Sequence, residues 1–93
     1  MCLARIRYRR SAPPPPFSYA ITLEVIEGDE WHTVRLWDNA DAMDEHHEHA
    51  YTRHGGKQDP LILEFPSTNE AMAAAIAKAK WKGAEIVRRW RAP

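Results

Sequence analysis

Four of the five histidines of this chain fall within nine residues, interspersed with acidic side chains: His46, His47, His49 and His54. If residues 45–54 form a β-strand, alternate side chains share a face of the sheet. His47 and His49 then point the same way, about 6.5–7 Å apart, whereas His46 and Glu48 point to the other face. The spacing therefore places two imidazoles side by side on one surface.

Two imidazoles at this spacing can bind one metal ion, with Asp38 or His32 of a neighbouring strand as a third ligand. Zinc accepts three such ligands plus a water molecule. The sequence thus predicts a site for zinc or another divalent metal at Asp38, His47 and His49, which are also the candidate catalytic residues. Two alternatives remain open. The stretch can be a solvated strand with weak ion pairs, or its histidines can serve acid–base catalysis or pH sensing.

Known catalytic motifs are absent from the sequence. Gly55-Gly56-Lys57 lacks the spacing of a phosphate-binding loop, and neither a Gly-x-Ser-x-Gly elbow nor a His-Glu-x-x-His motif occurs. A metal-independent nuclease that combines His47 or His49 with Tyr51 and Arg53 is chemically feasible. Whether the chain is an enzyme stays open at this level.

One stretch resembles a known family. The sequence reads RLWDNA at positions 35–40 and HHEH at positions 46–49. This arrangement resembles the TumE-type small toxins of bacterial toxin–antitoxin pairs, which are short α+β proteins with a similar strand end followed by histidines. The likeness covers residues 17–49, about a third of the chain, and the family's proline before its second histidine cluster is missing. The resemblance implies a toxin-like protein acting on RNA or nucleotides, with Asp38, His47 and His49 as its site.

The aromatic residues point to a binding protein. Trp31, Trp37 and Tyr51 can share one sheet face, depending on strand register, and Trp81 lies off the apolar stripe of the predicted helix. Such a patch suits a protein partner or a homodimer. We therefore expect a small interaction protein, of the kind that phages and other mobile elements encode, that binds and modulates a host or cognate protein. Nucleic acid is an alternative partner because arginines and lysines cluster near both ends of the chain.

Alternating hydrophobicity predicts the sheet that carries these residues. Phe17, Tyr19, Ile21, Leu23 and Val25 recur at every second position. Gly28-Asp29 predicts a hairpin turn into a second strand over residues 31–38, whose Trp31, Thr33, Arg35 and Trp37 would share a face. Residues 45–54 and 61–65 are the third and fourth strands, and residues 39–44 form a loop.

A long C-terminal helix is predicted after Pro66. Ser67-Thr68-Asn69-Glu70 has the form of a capping box, and an alanine-rich segment follows. Apolar and small residues recur at three- and four-residue steps from Met72 to Trp90, which predicts one buried stripe. The fold class is therefore α+β, with a three- to four-stranded antiparallel β-meander covered by one helix.

Length and composition favour one small domain. The chain has 93 residues and no net charge, and we divide it into a basic arm with a polyproline spacer (residues 1–16) and an α+β domain (residues 17–93). The arm can instead be an edge strand. The only cysteine is Cys2, so no internal disulfide can form. No apolar run is long enough for a membrane span, and we expect a cytoplasmic protein without a membrane partner.

Overall fold

The predicted α+β class is confirmed. The computed structural model describes residues 4–11, 17–39 and 45–92. Within these ranges one antiparallel sheet packs against one long C-terminal helix. The elements are β1 (Ala4–Arg10), β2 (Tyr19–Glu27), β3 (Glu30–Asp38), β4 (His46–Thr52), β5 (Gly56–Lys57), β6 (Leu61–Leu63) and α1 (Thr68–Arg91).

The sheet has more strands than the predicted three to four. The order is β1-β2-β3-β4-β5, and β6 pairs with the other half of β4. The basic arm accounts for part of the difference, because β1 pairs with β2 along its whole length as an edge strand. The predicted strand over residues 45–54 ends at Thr52, where a turn returns the chain into β5. Cys2, the four consecutive prolines of the spacer (Pro13 to Pro16) and most of the acidic loop lie outside the described residues.

The apolar alternation of β2 and of the residues before it is confirmed. Phe17, Tyr19, Ile21, Leu23 and Val25 are all buried and form the sheet side of the core. They lie on one face because successive side chains of a strand alternate. The helix α1 covers this face, hereafter the helix side. The opposite face, hereafter the open face, carries the alternate residues.

The predicted face pattern of β3 is wrong at its centre. Leu23 pairs with Arg35 and Glu24 pairs with Thr33, so Val34 is the extra residue of a β-bulge. A one-residue insertion reverses the facing of every residue beyond it. Trp37 and Val34 are therefore both in the core, whereas Trp31 lies on the open face, 3.8 Å from the guanidinium of Arg5.

The helix begins as predicted, and most of the predicted stripe is buried, although Ala71 replaces Met72 at its start and Met72 and Ile76 are only partly buried. The Ser67 hydroxyl accepts a hydrogen bond from the Glu70 amide, and the Ala92 amide donates to the carbonyls of Arg88 and Arg89 at the other end. The buried stripe is Ala71, Ala75, Ala79, Gly83, Ile86, Val87 and Trp90, following Thr68 in the first turn. No helix in the described ranges is long and apolar enough to cross a membrane.

Replacing Gly83 with alanine is expected to stabilise the protein. A Cβ at this position would lie 3.7 and 3.8 Å from the two Leu23 methyl groups, which is ordinary van der Waals contact. Close approach therefore does not require glycine here, and alanine gains about 1 kcal/mol in helix propensity. Urea unfolding followed by circular dichroism should show a higher midpoint for Gly83→Ala. A lower midpoint would mean that the helix must shift to accept even one methyl group.

Candidate functional site

The strand register brings three of the predicted site residues together on the open face. Asp38, the last residue of β3, pairs with His47, and Leu36 pairs with His49. Alternation then places Asp38, His47 and His49 on the face away from α1. The expectation that His46 points the opposite way is also confirmed, because His46 is buried on the helix side against Tyr19.

The three side chains form a tight and largely buried cluster, hereafter the Asp–His cluster. His47 Nδ1 lies 3.6 Å from Asp38 Oδ1, and His49 Nε2 lies 3.9 Å from the same oxygen. One ligand atom from each residue lies within 4.8 Å of the other two. Asp38 is only 8% exposed, and no described residue donates a hydrogen bond to its Oδ1.

Hydrogen bonds at the far side of each ring define which nitrogen faces Asp38. His49 Nδ1 lies 3.0 Å from the carbonyl oxygen of Gln58, which can only accept, so this nitrogen carries a proton. His47 Nε2 lies 2.8 Å from Glu45 Oε1, a carboxylate oxygen that also accepts. In the neutral imidazoles, His47 Nδ1 and His49 Nε2 therefore direct their lone pairs toward Asp38 Oδ1. Three acceptor atoms converge on one point.

This arrangement fits a metal ion. Zinc ligands lie about 2.0–2.2 Å from the ion, so tetrahedral ligand atoms are about 3.4 Å apart. The observed separations of 3.6 and 3.9 Å require only a small movement of the rings. Metal-binding histidines also donate their other N–H to a carboxylate or carbonyl oxygen, as His47 does to Glu45 and His49 to Gln58. A bound cation removes the repulsion among the three acceptors.

Other residues proposed for this site lie elsewhere. His32, the alternative third ligand, packs against Trp90 with ring centroids 5.6 Å apart. Arg53 also lies over Trp90, 4.6 Å from the ring. The suggested pairing of Arg53 with the histidines is therefore absent. Tyr51 stays close to the cluster: burial raises its pKa, and the charge of Asp38 adds to the increase.

Two arginines on the open face were not predicted as part of the site. Arg9 pairs with Ala20, which pairs with Asp38, so these residues form one row across the sheet toward His47. Arg7 begins the next row, through Thr22 and Leu36 to His49. Neither guanidinium forms an ion pair or hydrogen bond with a described residue. The alternating arginines in the sequence of β1 indicated a cationic strand face, but only the strand register shows which arginines lie on the same face as the histidines.

The surface between the arginines and the cluster is concave. A depression of about 400 Å³ is lined by Arg7, Arg9, Leu36 and Asp38, and also by Glu24, whose carboxylate is paired with Arg5 at 2.6 Å. A second, of about 410 Å³, is lined by Arg9, Arg10 and Asp38 together with the start of β2. Asp38 thus connects the buried cluster to a cationic surface that a ligand can reach.

The helix side holds a second polar cluster, which the sequence did not indicate. The Glu48 carboxylate accepts hydrogen bonds from Lys78 Nζ at 2.8 and 2.9 Å, from Trp37 Nε1 at 2.9 Å and from Arg35. Burial raises the pKa of Glu48, but the hydrogen bonds from Lys78, Trp37 and Arg35 outweigh it, and the pKa lies below its usual value. Lys78 belongs to α1, so this ion pair joins the helix to β4.

The predicted aromatic face is not formed. Trp37 is 2% exposed beneath α1, Tyr51 is half-buried on β4, and Trp31 lies on the open face because of the bulge at Val34. Trp81 is 85% exposed on α1. Of the four aromatic residues proposed for binding, only Trp31 and Trp81 are large exposed side chains.

Comparisons with known proteins add no family to this description. No family model matches the chain, and neither curated proteins nor solved structures give a match. The chemistry of the site therefore has to be inferred from its own geometry.

Proposed function

We propose that this chain acts on phosphodiester bonds of RNA or nucleotides with a divalent metal, of the zinc class, held by Asp38, His47 and His49. The observation that carries the proposal is the convergence of three acceptor atoms within 4.8 Å of one another. Two of them are imidazole nitrogens whose partner N–H groups are already held by oxygen acceptors. Three protein ligands leave one tetrahedral position for water or substrate, which is typical of catalytic zinc sites.

The cationic surface beside the cluster supports a phosphate-bearing substrate. Arginine binds phosphate through a planar fork of N–H donors. Arg9 lies two strands from Asp38, about 9–10 Å between backbones, and only the small Ala20 stands between them. A phosphate in this depression can therefore contact Arg9 on one side and the cluster on the other.

Each residue has a defined task in the proposed reaction. Asp38, His47 and His49 would hold the zinc ion, which would supply a hydroxide nucleophile and polarise a phosphoryl oxygen. Glu45 and the Gln58 carbonyl orient the rings of His47 and His49. Arg7 and Arg9 bind the non-bridging phosphate oxygens and stabilise the charge that develops on them. The resemblance to TumE-type toxins agrees with an RNA or nucleotide substrate, and the expected cytoplasmic location remains part of this proposal.

Hydrolysis assays on zinc-loaded protein test the proposed function. The substrates are a fluorescent single-stranded RNA, its DNA counterpart and bis(p-nitrophenyl) phosphate. His49→Ala removes a metal ligand and is expected to lower the rate by at least about 100-fold, because an outer-shell change alone costs about 10–100-fold. Arg9→Ala is expected to lower kcat/KM for RNA by about tenfold or more, since a hydrogen bond to a charged group contributes about 1.5–3 kcal/mol.

Lys82→Ala is the matched control for Arg9→Ala. Lys82 is an exposed cation of α1, on the side of the sheet away from the Asp–His cluster, and it lines neither depression. We expect its kcat/KM to stay within about twofold of the unmodified protein, because exposed charges contribute little on their own. A protein that binds zinc but cleaves none of the three substrates contradicts the function and leaves the metal site standing.

A further inference from the structure

The helix leaves one strip of the sheet uncovered. α1 packs mainly over β2 and β3, whereas β1 extends beyond it. Tyr8 of β1 pairs with the core residue Ile21, so it lies on the helix side, yet it is 63% exposed. Ile6 on the same face is only partly buried. An edge strand with apolar side chains on this face needs a covering layer.

A groove occupies the space between α1 and β1. Its volume is about 650 Å³. Ile6 and Leu23 line it from the sheet, and Ala79, Gly83 and Val87 line it from the helix. The small residues on α1 allow another backbone to approach closely. The groove follows α1 from Ala79 to Arg91, a length of about 18 Å at 1.5 Å per residue.

The helix rim of the groove is cationic. Lys80, Arg88 and Arg91 line it, and none of the lining residues within the described ranges is acidic. Ala84 and Arg88, which line the groove, follow Trp81 by three and seven residues. Residues at these spacings share a helix face, so Trp81 lies beside the cationic rim. Trp81 is 85% exposed. An aromatic side chain next to cations, above an apolar floor, is a typical composition for a protein-binding surface.

We infer that an acidic amphipathic helix of a partner protein packs in this groove, beside α1 and over β1. Such a helix would bury Ile6 and Leu23 beneath its apolar face and place its carboxylates against Lys80 and Arg88. A second copy of this chain fits poorly, because two such rims would bring like charges together. Nucleic acid fits poorly as well, because the floor of the groove is formed by apolar side chains, which offer no hydrogen-bond donors to phosphates or base edges. The inference is independent of the proposed function, since the Asp–His cluster lies on the opposite face of the sheet.

Selection from a displayed peptide library tests this inference. The library holds helical peptides of 18 residues with an apolar residue at steps of three and four, and with all other positions randomised. The full-length chain is the bait. We expect enrichment of peptides rich in Asp and Glu, and fluorescence anisotropy then measures their affinity for the variants. The double variant Lys80→Glu/Arg88→Glu is expected to bind at least about tenfold more weakly, because two attractive contacts become repulsive.

The matched control is Lys82→Glu/Arg89→Glu. It makes the same charge change one or two positions away, on residues that do not line the groove, and should bind within about twofold of the unmodified chain. Trp81→Ala should also weaken binding. The inference is overturned if no peptide is enriched, if the enriched peptides are neutral or basic, or if both double variants lose affinity equally. Light scattering that shows a dimer broken by Lys80→Glu/Arg88→Glu would instead assign the groove to a second copy.

Discussion

Replacing Glu48 with alanine is expected to lower the free energy of unfolding by about 3–5 kcal/mol, the range for removing one partner of a buried ion pair. The Glu48 side chain is 4% exposed and accepts hydrogen bonds from Lys78, Arg35 and the indole of Trp37. Lys78 can turn toward solvent after the substitution. Arg35 and the buried indole N–H cannot do so fully, and they lose their acceptor.

Urea unfolding followed by tryptophan fluorescence measures this change. Glu85→Ala is the matched control, because among the described residues its carboxylate pairs with Arg89 alone, one turn away on the surface of α1. Surface pairs of this kind contribute about 0.3–0.5 kcal/mol. A loss below about 1 kcal/mol for Glu48→Ala would contradict the view that this carboxylate joins the helix to β4.

Zinc is expected to raise the melting temperature of the protein, and Asp38→Asn is expected to abolish the increase. At a free zinc concentration 100 times the dissociation constant, binding stabilises the folded state by about 2.7 kcal/mol. For a domain of this size the shift is about 10–20 °C. The asparagine keeps the shape of Asp38 but presents no charge to the ion.

The stability of Asp38→Asn without metal gives a more specific test of the site than its zinc response. In the unmodified protein, Asp38 Oδ1 faces two imidazole nitrogens and receives no hydrogen bond from the part of the chain that the structure describes. An asparagine amide at this position can donate to one of them. We therefore expect Asp38→Asn in excess chelator to be at least as stable as the unmodified chain, although it no longer responds to zinc. His54→Ala, at an exposed histidine, is the control for unspecific binding. An equal zinc response of Asp38→Asn and the unmodified chain would place the metal elsewhere.

Local patterns in the sequence were sufficient for most of the fold. The alternation of apolar residues from Phe17 to Val25 has the period of a strand with one buried face. The stripe of apolar and small residues from Ala71 to Trp90 has the period of a helix with one buried face. The bulge at Val34 was not predictable in this way. An inserted residue depends on how two strands pair, and it changed the facing of Trp31 relative to Trp37.

The site was predictable only in part for the same reason. His47 and His49 share a face in any strand, and Asp38 ends the strand before them. Arg9 belongs to the site only because β1 pairs with β2 in one register, which places it in the row of Asp38. The Glu48 cluster depends on Lys78 of α1, thirty residues away, and no short-range pattern reports such a contact.

The edge strand β1 has a consequence for regulation. Its odd-numbered Arg7 and Arg9 extend over the open face, and its even-numbered Ile6 and Tyr8 extend over the helix side. A helix packed on Ile6 would also restrict the backbone that carries both arginines. Occupants of the two faces would then influence each other's affinity without touching, and thermodynamic linkage makes that influence mutual. Through β1, a partner on one side of the sheet would thus affect a ligand on the other.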